Sequence, residues 1–186
     1  MRRLLTLLVC IIACTYCGPY VLAQTPPQSQ DKHHDYHNTT HEERAERRAA
    51  RLAEDKRIID SLVIAQNFEF NPMTMQQMPA GQMFFLSNIN YTFTIWRGAM
   101  DICLPYIAGI TPPYRRVLLN TGTKNLQNYK SVQTDNGWIV SFNAVLYAEI
   151  DYTFTLEIND HSGATLTISN AWYNDVQYTG TISQVY

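Results

Sequence analysis

Cysteine is scarce in this chain and poorly placed for cross-linking. The four lie at positions 10, 14, 17 and 103. The first three fall in or beside an apolar leader, which leaves Cys103 alone and excludes an internal disulfide in the body of the protein. Cys14-x-x-Cys17 has redox spacing but lacks the strand-to-helix context that such a motif needs. Net charge is small as well. The formal value of −2 gives no general pull toward nucleic acid or an anionic membrane. Charge is also unevenly spread. Between Asp31 and Arg57 there are seven acids and seven bases, whereas from Ile58 onward there are nine acids and only five bases. The second region holds every Phe and Trp, so the first is a solvated segment and the second is able to bury a core.

Met1-Arg2-Arg3 is a positive start, Leu4 to Ala13 is apolar, and Gly18-Pro19 breaks any helix. Val21-Leu22-Ala23 is a small-residue cleavage site before Gln24, so residues 1–23 read as a secretory signal peptide. The apolar run is too short for a permanent membrane helix. A second reading stays open. Ile11-Ile12-Ala13-Cys14 resembles a bacterial lipobox, and lipid on Cys14 would hold the protein at a membrane.

Residues 24–40 are polar and proline-containing and read as a disordered tether. His33, His34, His37 and His41 make this stretch a candidate for binding Zn²⁺ or Ni²⁺, although no cysteine or preorganised carboxylate completes a site. No cofactor is implied. Thr40-His41-Glu42-Glu43 fits a capping box and predicts a charged helix over 41–63. Its apolar positions are Ala45, Ala49, Leu52, Ile59 and Val63, so its early turns have little to bury and should be solvated.

From residue 64 to 186 the period changes to two. The clearest stretch is Ile150 to Ile158, where Ile150, Tyr152, Phe154, Leu156 and Ile158 alternate with Asp151, Thr153, Thr155 and Glu157. Ile89 to Trp96, Trp138 to Tyr147, Ala164 to Ser169 and Val176 to Ile182 alternate in the same way. Val117 to Leu119 and Tyr129 to Thr134 are fainter. Asn71-Pro72 and Pro105 are expected to end strands, because proline donates nothing to a ladder. Arg97-Gly98 is a candidate turn, and Asp135-Asn136-Gly137 reads as a hairpin turn of type I′. The fold class is therefore mainly β. An antiparallel meander of about eight strands, forming a barrel or a sandwich, follows one N-terminal helix.

Several of these pieces, in this order, are familiar. They are Asn67-Phe68-Glu69-Phe70, Leu86-Ser87-Asn88-Ile89-Asn90-Tyr91, Asn128-Tyr129-Lys130, and Gly137 followed by Phe142. Tyr152-Thr153-Phe154-Thr155-Leu156, Gly163-Ala164-Thr165-Leu166 and Val176-Gln177-Tyr178-Thr179-Gly180 complete the set. From about Glu42 to Ile182 the chain resembles the exported bacterial family known as domain of unknown function 4251. The resemblance implies export and an all-β domain after a helix. It supplies no catalytic residues.

The residues themselves offer little for catalysis. Cys103 and His161 are a nucleophile and a base only if the fold joins them. Asp101, Glu149, Asp151, Glu157 and Asp160 are the carboxylates available for glycoside chemistry, and most sit at outward or turn positions. Asn159-Asp160-His161 is either a cation site or a plain turn. Trp96, Trp138 and Trp172 are candidates for surface binding beside a Thr-rich polar face. Two function classes stand. One is an exported, non-enzymatic binding or envelope-interaction module in the periplasm or at the cell surface, with a glycan or another envelope protein as partner. The other is a hydrolase acting on glycan or peptide.

Overall fold

Alternation of apolar and polar residues fixes which face of each strand is buried, and strand pairing then fixes the architecture. The computed structural model describes residues 40–185. The predicted signal peptide and nearly all of the tether, with His33, His34 and His37, lie outside the described residues. One helix, α1 (His41–Ile64), precedes ten strands. These are β1 (Asn67–Gln77), β2 (Met83–Phe85), β3 (Thr92–Trp96), β4 (Ala99–Ala108) and β5 (Arg115–Thr123). Then come β6 (Gln127–Thr134), β7 (Gly137–Val145), β8 (Asp151–Asn159), β9 (Gly163–Asn170) and β10 (Val176–Gln184).

All ten strands belong to one antiparallel sheet ordered β5-β4-β3-β1-β10-β9-β8-β7-β6, with β2 pairing to β1 beside this path. The meander therefore has two arms, and they are joined where the first strand pairs with the last. Laid flat, the path would hold β5 and β6 about 38 Å apart at the usual strand spacing. Only Lys124 to Leu126 separate them in sequence, a link that reaches at most about 14 Å. The sheet must curl until its edges approach, which makes it a half-barrel rather than a sandwich. The two edges do not pair. Tyr147, in the turn before β8, bridges toward β5 instead. Its hydroxyl donates to the Asn120 carbonyl at 2.6 Å and accepts the Asn120 N–H at 3.0 Å.

Inward residues of both arms fill the curl. Phe93 from β3 stacks on Phe154 (5.7 Å between centroids) and Phe142 (6.2 Å), which lie 5.0 Å from each other. Phe68, Phe70, Leu104, Leu156, Leu166 and Tyr178 complete the buried interior. The predicted faces of β8, β9 and β10 are the observed ones. Tyr152, Phe154, Leu156 and Ile158 are buried, and Asp151 and Glu157 are exposed. Ile89 is the exception. It is 90 % exposed, because β3 begins only at Thr92.

Both proline expectations are corrected. Pro72 lies inside β1, next to a register shift between Pro72 and Thr74, and such bulges tolerate a missing donor. Pro105 lies inside β4. By Thr92, opposite Cys103, β3 has ended, so Pro105 has a strand neighbour on one side only. Both expected hairpin turns are present, but the type expected at the β6–β7 turn is corrected. Thr134 pairs with Gly137, so the β6–β7 loop is Asp135-Asn136, and neither residue has positive φ. The β3–β4 loop, Arg97-Gly98, has φ of 50° and 77°, as a type I′ turn requires.

The helix packs only its last part. Residues 41–55 are all exposed, whereas Ile59, Leu62 and Val63 are buried against the sheet. At that end Trp138 Nε1 donates to Asp60 Oδ1 at 2.7 Å, and Lys56 pairs with Asp160 at 3.3 Å. The first fifteen residues project about 22 Å of helix carrying alternating charge.

Phe154→Ala removes a fully buried ring that stacks on Phe93 and Phe142 and should cost about 3–5 kcal/mol in urea denaturation. Thr155→Ser, on the opposite face, should change stability by no more than about 0.5 kcal/mol. Equal costs would mean that both faces of β8 are buried and that the register is wrong.

Candidate functional site

Strand β1 is long enough to hold two partners on the same side. Phe70 is its last residue to pair with β3, and β2 begins pairing at Thr74. Beyond Cys103, β4 runs on without β3, beside β5 alone. The sheet thus forks, with β1 and β2 on one prong and the far half of β4 with β5 on the other. Polar side chains of β10, β9 and β1 reach across to β4 and to the residue that follows it. Tyr178 Oη donates to the Pro105 carbonyl at 2.7 Å, Asn170 Nδ2 to Tyr106 Oη at 2.8 Å, and Gln77 Nε2 to the Gly109 carbonyl at 3.1 Å.

Over this seam lies an apolar groove. One part, of about 440 Å³, is lined by Phe84, Phe85, Leu86, Tyr91, Val117 and Leu118, together with Arg116. A second, of about 330 Å³, adjoins it at Phe84 and Arg116 and reaches Gln77, Gln82 and Tyr114. Phe85 is 84 % exposed, and Met83, Val117 and Leu118 are each roughly half exposed. A cluster of exposed large apolar residues on a monomer marks a binding surface more often than a fold requirement. The Arg116 guanidinium carbon sits 4.2 Å from the centroid of the Phe84 ring, within cation–π range.

The residues singled out from sequence do not converge here. Trp138 is not a surface residue. It is 9 % exposed and held by Asp60, because its apolar ring supports the helix while its N–H needs a buried acceptor. Trp96 is half exposed beside the β3–β4 turn, with the Arg97 guanidinium 5.0 Å from its ring centroid. Trp172 is exposed in the β9–β10 loop, near the opposite end of the sheet. His41 is exposed at the start of α1, and no metal-binding group of His, Cys, Asp or Glu occurs among the described residues.

Cys103 on β4 and His161 after β8 are five positions apart in the strand order. Of the five carboxylates, only Glu157 borders a main cavity, a depression of about 450 Å³ lined also by Trp138, Ile139, Thr165 and Thr179. Asn159 Oδ1 accepts the amides of His161 (2.9 Å) and Gly163 (3.0 Å), so this segment is an Asx-type turn rather than a cation site. The groove residues escaped the sequence reading. Their signal was the unbroken run Met83-Phe84-Phe85-Leu86, which lacks alternation, and the adjacent pair Arg115-Arg116 in a region poor in bases.

These features define a class: a single curled β-sheet module with a charged helix packed at one end. The sequence profile of the family described as a domain of unknown function (DUF4251) matches residues 50–182, and the chain belongs to that family. Among solved structures it resembles the crystal structure of a DUF4251 family protein from Bacteroides eggerthii, with a TM-score of 0.55 and 17 % identity. The match covers 71 % of this chain and 89 % of that one. No curated protein matches the chain.

Four tyrosines serve the seam and the core. Burial pushes the hydroxyls of Tyr106, Tyr152 and Tyr178 upward, and that of Tyr129 to about 12. The unfolded phenol ionises near pH ~10. Stability is therefore intact below that pH and falls as pH rises through the folded values. Tyr178→Phe strips the Pro105 carbonyl of its donor and should cost about 1–3 kcal/mol. The Tyr129 hydroxyl is buried with no hydrogen-bond partner among the described residues. Tyr129→Phe should therefore be neutral or stabilising by up to about 1 kcal/mol, with a shallower loss of stability above pH ~10. Denaturation of both variants at pH 8 and across the alkaline range separates the two roles.

Proposed function

We propose that the protein is an exported, non-enzymatic binding module of the cell envelope, and that its contact surface is the groove between β2 and β5. The observation that carries this is the exposure of Phe85, Val117 and Leu118 around a concave apolar floor. Burying that floor against a partner would remove apolar area from water at about 25 cal/mol per Å². The interior stack of Phe93, Phe142 and Phe154 supports a scaffold that presents a surface rather than one that encloses a substrate. Export rests on the Arg2-Arg3, Leu4 to Ala13, Val21-x-Ala23 arrangement, which favours a free N-terminus at Gln24 in the periplasm or at the cell surface.

A photo-crosslinking residue placed at Phe85 in the native cell should yield a discrete adduct, while one at Thr179 on the outer face should not. Adducts from Thr179 alone would move the contact surface to the polar face. Mass analysis of the native protein should give a chain beginning at Gln24. A lipid on Cys14 would instead make it a membrane-anchored form.

A further inference from the structure

Resting on the groove as the contact surface, we propose that it takes an anionic amphiphile, a carboxylate head on an aliphatic chain, with Arg116 as the head-group site. The floor offers Phe84, Phe85, Leu86, Val117 and Leu118, and Arg116 is the one charged side chain lining either part of the groove. That arginine has no carboxylate partner among the described residues; it lies on the Phe84 ring, its guanidinium carbon 4.2 Å from the centroid. A guanidinium laid on an aromatic ring keeps its in-plane N–H donors free, and their fork matches the two oxygens of a carboxylate. Charge complementarity therefore places the anion at the junction of the two cavities, with the chain running toward Leu86 and Tyr91.

The floor also discriminates between apolar ligands. Along the open edge of β4, Pro105 has no N–H and its carbonyl is already bonded by Tyr178, so an extended peptide finds few partners there for its own N–H and C=O groups. An alkyl chain has no such groups to satisfy. The occupant is therefore a fatty acid rather than a peptide tail.

The probes are laurate, dodecanol and a leucine-rich tripeptide with a free C-terminus, each titrated below aggregation into the mature chain and followed by amide NMR shifts. Laurate should shift residues of β2 and β5 and bind roughly tenfold more tightly than dodecanol, about 1.4 kcal/mol. Arg116→Gln, at an exposed position, should leave the thermal midpoint unchanged and erase the preference for laurate while dodecanol still binds. Equal affinities in the unaltered protein, or a preference that survives Arg116→Gln, would overturn the role of Arg116. Tighter binding of the tripeptide would overturn the fatty acid in favour of a peptide. No binding of any probe, with the Phe85 crosslink intact, would overturn the ligand class and leave the module reading standing.

Discussion

The pairing of the first strand with the last holds the rest of the molecule in place. Without it the chain is two hairpin meanders, β1 to β5 and β6 to β10, each with a bare apolar face. The pairing is not uniform. Between Pro72 and Thr74 the register slips, and the buried face of β1 passes from Phe68, Phe70 and Pro72 to Met75 and Gln77. Opposite Pro72 stands Gly180, where a Cβ would fall on the Asn71 carbonyl oxygen. The close approach of two backbones at the bulge thus requires glycine on one strand and accommodates proline on the other.

The same bulge leads to the groove. Before it, β1 pairs with β3; after it, β1 pairs with β2. The change of partner leaves the far half of β4 beside β5 alone and opens the fork. Tyr178, Gln77 and Asn170 close the fork below with hydrogen bonds. Above, Phe85, Val117 and Leu118 remain uncovered because no strand of the described residues crosses there. At the other end of β1 the situation is reversed. Ile59, Leu62 and Val63 of α1 cover the sheet, and Trp138 ties down the helix.

Local pattern made much of this legible. Alternation placed Phe154, Leu166 and Tyr178 inside without knowledge of their partners, because side-chain period in a strand is a local property. The helix was legible for the same reason, and its bare first half followed from Ala45 and Ala49 having little to bury. Non-local facts were not legible. That β1 meets β10 depends on residues more than a hundred positions apart. Pro72 and Pro105 read as breaks because their tolerance depends on where neighbouring strands begin and end. Trp138 read as a surface ring because its acceptor, Asp60, lies on the helix. The groove was hidden because Met83 to Leu86 and Arg116 to Leu118 are brought together only by the fork.

The central claim is that β1 and β10 unite the two arms into one cooperative sheet. Native-state hydrogen exchange of the individual amides tests it most directly. The amides of β1 and β10 should exchange as slowly as those of β8, only through global unfolding, while edge strands β5 and β6 open locally. Exchange of β1 and β10 at a markedly lower free energy than β7 and β8 would contradict it. The arms would then be separately stable, and their junction would be a contact rather than the foundation of the fold.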